Sequence, residues 1–237
     1  MPLKSFLTQK LDFYMTLFLT EDGSHSVYSE QLGVSYHSKH GAIQETQHVF
    51  IKAGLDYILQ QSPGEINILE IGFGTGLNAF MTFLESESQP IHTTINYFTV
   101  EAYPLSMEQV FQLNYVEQLD ARRYEDIFLK MHSSEWSEVH PLSKKFNFQK
   151  LLINFEDIDF HDYMDLIYFD AFAPDIQPQL WEENLMTKMF NALRSQGVLT
   201  TYCAKGVVKR TLKSAGFIIE SLPGPSGKRE MTRAIKK

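Results

Sequence analysis

At 237 residues, 43% of them hydrophobic, the chain suits one domain with an extension, and its net charge of −8 argues against generic nucleic-acid binding. No apolar run approaches the roughly 18 residues of a membrane span, and the N-terminal MPLKSFLTQKLDFY lacks the apolar stretch and cleavage site of a signal peptide. The single cysteine, Cys203, excludes an internal disulfide and fits a reducing compartment, so a cytoplasmic location with no membrane partner is expected.

Residues 1–50 read as an N-terminal extension packing on the core, and 51–237 as the functional domain. Asp22-Gly23 is a turn signal between β-like runs at 13–20 and 27–28. Residues 42–60 have helical spacing (Ile43, Val49, Phe50, Leu55, Ile58, Leu59), closed by Pro63-Gly64. A strand at 66–71 carries Glu70 and runs into Gly72, Gly74 and Gly76, with a helix at 76–86 beginning around Asn78. Glycine accepts positive φ and lets a ligand approach the backbone, and the helix start offers free N–H groups. A strand at 95–101 ends in Glu101, and helix with breaks fills 104–131. Residues 132–149 look like a surface insertion, and a strand at 150–155 leads to Glu156-Asp157. A strand at 164–170 delivers Asp170, followed by Ala171, Phe172, Ala173 and Pro174. A helix at 178–195, a strand at 197–203, a helix at 205–215 and two strands at 216–221 and 230–236 complete the chain. The alternation predicts an α/β fold, a mostly parallel sheet wrapped by helices, and the short Pro/Gly loop at 222–229 makes the last two strands an antiparallel hairpin.

Three successive strand ends carrying Glu70, Glu101 and Asp157 beside a glycine turn point to one ligand across the carboxyl edge of the sheet. A carboxylate at 101 can take both ribose hydroxyls, and one at 157 an adenine amino group. The spacing E-x-G-x-G-x-G is not the G-x-G-x-x-G of dinucleotide folds, and residues 224–229 are no Walker A loop, since Leu222 replaces its first glycine and Arg229 its hydroxyl residue. The eight histidines show no metal grouping: His37 and His40 lie in a loop-like stretch with no acid or cysteine to complete a set, so no metal is expected. Cys203 reads as a small buried hydrophobe rather than a nucleophile. Residues 204–237 hold nine basic and two acidic residues, net +7, leaving −15 for the rest. A basic face on an acidic body can hold phosphates, and a solvated helix face is the plainer alternative.

The E-x-G-x-G-x-G turn resembles motif I of class I S-adenosylmethionine-dependent methyltransferases, which implies a Rossmann-like, mostly parallel seven-stranded sheet with a C-terminal antiparallel hairpin. Taken in order, HGAIQETQHVFI (40–51), GFGTGLN (72–78), EAYPLS (101–106), DAFAP (170–174), QPQLWEENL (177–185), LTTYCAKGVVKRTLKSAGF (199–217) and GKREM (227–231) are similar to the methyltransferase domain of MnmC-type tRNA modification enzymes. Alanine at 171 departs from the glycine of some members. The resemblance implies S-adenosyl-L-methionine as cofactor, held by Glu70, Gly72, Gly74, Gly76, Asn78, Glu101 and Asp157. It implies N-methylation of the aminomethyl group of 5-aminomethyl-(2-thio)uridine at the tRNA wobble position. Asp170 is then the catalytic residue, Phe172 and Pro174 border the base, and Lys205, Lys228 and Arg229 meet the anticodon loop. The FAD oxidase domain of some members is not expected in this chain. Tyr28 and Glu45 are candidates to close over the cofactor, while Trp181 reads as core, a pocket border being the alternative.

An alkylamine with a pKa near 10.4 is an ammonium at neutral pH. A sulfonium about 4 Å away at an effective ε of about 20 repels it by roughly 4 kcal/mol, about three pKa units. A carboxylate favours the ammonium, so Asp170 is expected to aim the lone pair and stabilise the forming cation rather than act as a strong base. The rival readings are transfer to a small-molecule or protein amine, an aminopropyl transferase, an RNA-binding module without activity, and a nicotinamide enzyme, the last disfavoured by the glycine spacing.

Overall fold

The computed structural model describes residues 15–88 and 93–237; the start of the expected run at 13–20 and the segment read for a signal peptide lie outside them. Strands β1 (Met15–Leu19), β2 (His25–Ser29) and β3 (Val34–Ser35) form a small antiparallel sheet. Asp22 builds the first turn, accepting the Thr20 hydroxyl at 2.8 Å and the Ser24 N–H at 3.0 Å. Its other oxygen accepts the Gln44 N–H at 3.0 Å, one of the orphan donors at the start of α1 (Ala42–Thr46). One aspartate thus ties the hairpin to the helix. The helix continues as a π-helical stretch, Gln47–Leu55, and ends in α2 (Asp56–Leu59). It buries Val49, Phe50, Leu55 and Ile58, and the division expected after residue 50 falls inside it.

The main sheet contains β4 (Glu65–Ile71), β5 (Thr94–Val100), β6 (Val139–Pro141), β7 (Phe146–Leu151), β8 (Met164–Phe169), β9 (Leu193–Thr201), β10 (Ile218–Pro223) and β11 (Glu230–Ile235). Their order is β10-β11-β9-β8-β4-β5-β7-β6. From β7 through β9 the neighbours are parallel, and β11 and β10 add the expected antiparallel hairpin. The longer helices are α3 (Leu77–Ser88), α6 (Glu125–Ser133), α7 (Glu183–Ala192) and α8 (Gly206–Ser214), with the short α4 (Met107–Val110) and α5 (Tyr115–Gln118) between. Along β4, Ile66 and Ile68 join one core with Phe50, Phe80 and Phe83; Leu69 and Ile71 join the other with Met186, Met189 and Leu212. Burial on both faces is why the strand reads as an unbroken apolar run.

Two expectations change. The stretch 132–149 is not a plain insertion: it holds β6, an eighth strand antiparallel to β7, and the start of β7 itself. The strand expected at 150–155 ends at Leu151, because its partner β5 ends at Val100, opposite Leu151. Beyond that pair the ladder has no neighbour, and the chain turns into a 3₁₀ segment, Phe155–Asp157. The helix expected at 178–195 likewise divides into a 3₁₀ turn, Pro178–Trp181, and α7, since Leu193 already pairs with Met164 in the sheet.

Candidate active site

The strand order reverses about β4, and loops from the carboxyl ends of β4, β5 and β8 open there into a crevice. The Gly72 N–H donates to the Val100 carbonyl at 3.0 Å and the Asp170 N–H to the Ile71 carbonyl at 3.1 Å, which holds the three strand tips together. Gly72 has φ +93°, and a Cβ on it would lie 3.0 Å from the Asp170 carbonyl; one on Gly76, at φ +74°, would lie 2.7 Å from His132 Nε2. The Gly74 N–H donates to Glu101 Oε2 at 2.8 Å, and the Tyr103 N–H to Glu101 Oε1 at 2.8 Å. Glu101 therefore fixes the glycine turn while keeping spare lone pairs at the tip of β5.

The cleft is lined by Gly72 to Thr75, Asn78, Glu101, Asp170 and Phe172. Its opposite wall comes from the small sheet, with Met15, Ser29, Leu32, Tyr36 and His37. The Tyr36 ring meets Phe172 edge-on at 5.1 Å between centroids, and a Cβ on Gly74 would come within 3.0 Å of it. Nothing periodic in 31–38 marked these residues in the sequence; the fold of the hairpin brings them over the site.

Asn78, in the first turn of α3, donates from Nδ2 to Asp170 Oδ2 at 2.8 Å and accepts the Thr46 hydroxyl at 2.9 Å. Asp170 is pushed up to about 7, chiefly by removal from water and further by the Glu45 carboxylate; the Asn78 hydrogen bond and Lys228 offset part of this. Glu45 is nearly sealed, ion-paired with Lys228 from the C-terminal hairpin loop, and accepts the Ser38 N–H at 2.9 Å. The Lys228 ammonium also lies 3.9 Å from the centre of the Tyr202 ring.

Several predicted residues stand elsewhere. Glu70 is 0% exposed and does not line the cleft; it shares a strand face with Ile66 and Ile68 and so faces the core. Its oxygens sit near Thr99, Asn78 and the Tyr97 hydroxyl, which lower its pKa, but burial outweighs them and, with the Asp170 carboxylate, raises it well above the ordinary carboxylate value. Asp157 is exposed and accepts Asn154 Nδ2 at 3.0 Å, because β7 ends six residues before it; Phe155 enters the cleft wall instead. Pro174 and Tyr28 are partly buried outside the cleft lining. Lys205 is exposed and ion-paired with Asp175, a surface pair that tethers the loop after β8. Trp181 is core, edge-on to Phe169 and donating to the Phe172 carbonyl at 2.8 Å. Arg229 is exposed with no side-chain partner among the described residues. The described residues contain no group of three potential metal ligands and no helix long and apolar enough to cross a membrane.

A family profile described as S-adenosyl-L-methionine-dependent methyltransferase matches residues 112–237, the half that carries the tips of β7 and β8 and the C-terminal hairpin. The chain belongs to that family. The methyltransferase is 30% identical over 230 residues, 90% of its length, to "tRNA 5-methylaminomethyl-2-thiouridine biosynthesis bifunctional protein MnmC" of Marinomonas sp.. It is 29% identical over 216 residues, 86% of its length, to the protein of that name from Leptospira borgpetersenii. It spans about a third of the length of these relatives, 32% in both cases. The crystal structure of MNMC2 from Aquifex aeolicus superposes with a TM-score of 0.78 at 22% identity, over 94% of this chain and 70% of that one. Spermidine synthase from Thermotoga maritima gives 0.50 at 14% identity, over 94% and 71%. The expected class I methyltransferase fold is thus borne out, as is S-adenosyl-L-methionine as cofactor. The glycine turn suits this cofactor: at Gly72 and Gly76 a side chain would crowd the surrounding backbone and His132, and at Gly74 the Tyr36 wall of the cleft.

Proposed function

We propose that this methyltransferase transfers a methyl group to the amine of 5-aminomethyl-(2-thio)uridine at the tRNA wobble position, giving 5-methylaminomethyl-(2-thio)uridine. The relatives' name, which places them in tRNA 5-methylaminomethyl-2-thiouridine biosynthesis, supports the tRNA substrate. The observation that carries the amine chemistry is Asp170, a cleft carboxyl held by Asn78 through one oxygen. The same reading implies action in the cytoplasm, where tRNA is modified.

Bound S-adenosyl-L-methionine supplies an electrophilic methyl on a positively charged sulfur. The Gly72–Gly76 backbone, Asn78 and Glu101 are the residues that hold it, Glu101 toward the ribose hydroxyls. Asp170 Oδ1, left free by Asn78, accepts an N–H of the substrate amine, aims its lone pair, and stabilises the cation that forms as nitrogen gains its fourth bond. A pKa of about 7 lies close to that of an amine depressed about three units by a neighbouring cation. The sulfonium that lowers the amine lowers this carboxyl as well, so Asp170 acts as an acceptor that aims the amine rather than as its base. Phe172 offers its ring to the base, and the Lys205–Asp175 pair steadies the loop that carries it.

On the tRNA side, five of the nine tail cations, Lys205, Lys209, Lys228, Arg233 and Lys236, are paired with carboxylates. That pairing favours a second reading, transfer to a small-molecule or protein amine, over the first only if tRNA proves inert. Mass spectrometry of wobble nucleosides, after incubating tRNA bearing the aminomethyl group with protein and labelled cofactor, separates the two. Labelled methylaminomethyluridine is the expected product. Asp170→Asn should keep S-adenosylhomocysteine binding and lose turnover. Unlabelled tRNA, or full turnover by the variant, refutes the corresponding part.

A further inference from the structure

His37 is held more firmly than any role assigned so far requires. Its backbone N–H donates to Ser26 Oγ at 3.1 Å, its carbonyl accepts the Ser35 hydroxyl at 2.8 Å, and its ring Nδ1 lies 3.2 Å from Ser26 Oγ. Ser26 is 0% exposed. A buried hydroxyl needs an acceptor for its proton, and among the described residues Nδ1 is the acceptor in reach. Ser26 therefore donates to Nδ1, and the neutral ring carries its proton on Nε2. Nε2 has no partner among the described residues, is not one of the sealed unpartnered atoms, and belongs to a side chain that lines the cleft.

The surroundings say what such a donor can meet. His37 feels Glu45, Asp22 and Lys228; Asp170 feels the same Glu45 and Lys228. Both side chains line the same cleft, within electrostatic reach of the Glu45–Lys228 pair. Burial pushes the imidazole down to about 4, against Glu45 and Asp22, which favour its charged form. A neutral N–H beside carboxylates suits a neutral carbonyl better than an anion. In a 5-aminomethyluracil, the ring carbonyl at C4 is the nearest neutral acceptor to the amine. A cytosine places an amino donor at that position.

We propose that His37 is a specificity residue whose Nε2–H donates to the pyrimidine carbonyl beside the aminomethyl carbon while Asp170 holds the amine. This rests on the function proposed above. An opposing donor leaves two N–H groups facing each other in a confined site, and loss of one such bond is worth roughly 10- to 100-fold.

The test uses an anticodon stem–loop RNA with 5-aminomethyluridine or 5-aminomethylcytidine at the wobble position. Two variants separate the ring nitrogens: His37→Asn retains an amide near Nδ1 for Ser26 but nothing at Nε2, whereas His37→Gln places an amide near Nε2 and gives up Ser26. The wild type should prefer the uridine RNA by roughly 100-fold in kcat/KM. His37→Asn should bind S-adenosylhomocysteine normally and lose most of that preference, and His37→Gln should keep it. Wild-type preference in His37→Asn, or equal use of both RNAs by the wild type, overturns the inference alone. A wild type that binds S-adenosylhomocysteine yet methylates neither RNA overturns the functional reading beneath it. Nitrogen-15 NMR of the wild type gives an independent check: the Nε2–H tautomer of His37 supports the inference, and the Nδ1–H tautomer overturns it.

Discussion

Replacing Asp170 by asparagine should stabilise the folded protein at alkaline pH while removing activity. In the folded state the carboxyl titrates near 7, against 3.8 for an ordinary aspartate. Between those values the folded protein keeps a proton that the unfolded chain has released, so stability falls as pH rises, by about 1.4 kcal/mol per unit. Across about three units the ionised carboxylate costs about 4 kcal/mol at pH 8, an upper figure because Asp170 borders an open cleft. Asparagine carries no charge and keeps an oxygen for the 2.8 Å bond from Asn78. His37 and His132, pushed down to about 4 and about 3, and the raised Glu70 also titrate abnormally. The two histidines are common to both proteins and cancel in the difference, whereas Glu70, raised in part by the Asp170 carboxylate, is relaxed in the variant and adds to the gap in the same direction. Urea unfolding at pH 4, 5.5, 7 and 8 should give equal stabilities at the acid end. A gap should open with pH to about 4 kcal/mol, or roughly 8–16 °C in Tm. Parallel curves for the two proteins would show that Asp170 is not held in a desolvated site.

The other substitutions address the cofactor and the two kinds of tail cation. Glu101→Ala removes the acceptor for the Gly74 and Tyr103 N–H groups; calorimetry with S-adenosylhomocysteine should show at least a 10-fold loss, about 1.4 kcal/mol, and unchanged affinity refutes its double role. Gly76→Ala forces a Cβ to 2.7 Å from His132 Nε2 at a positive φ and should cost about 1–3 kcal/mol in urea unfolding, whereas a neutral result means the loop yields freely. Lys228→Ala leaves the nearly sealed Glu45 carboxylate unpaired and should destabilise by about 2 kcal/mol, below the 3–5 of a fully buried pair. Arg229→Ala should leave stability within about 0.5 kcal/mol and reduce the salt slope of tRNA binding by about 1. Identical slopes for Arg229→Ala and wild type would remove Arg229 from the RNA surface.

The glycine turn, Glu101 and Asp170 were legible in the sequence because their chemistry is local. A strand period breaking into alternate glycines, or into a single acid, needs no knowledge of distant residues. Glu70 shows where that reading stops. As a strand-end acid it would reach the rim, but β4 runs one residue further, to Ile71, and both faces of the strand are buried, so Glu70 lies inside the sheet rather than at its edge. Asp157 failed for a related reason: the apolar run LLINF has strand composition throughout, yet its ladder lasts only as long as β5 lies beside it. Strand length belongs to the pair of strands, and no single segment encodes it.

The basic tail and the cleft wall failed on a longer scale. Composition counted nine cations between 204 and 237, but the partner that occupies Lys228 is Glu45, 183 residues earlier. Charge is additive along a sequence, whereas availability for a phosphate depends on which carboxylates the fold delivers. His37 shows the same logic in reverse. Beside His40 it looked like half of an incomplete metal set. Its place in the cleft depends on a hairpin whose turn residue, Asp22, also caps the helix that carries Glu45. The hairpin, that helix and the C-terminal loop are thereby fastened to one another around Asp170, through Asp22–Gln44, Ser38–Glu45 and Glu45–Lys228. A change in any of the three elements should therefore register at Asp170 as a shift in its titration, even where the altered residue touches neither cofactor nor amine.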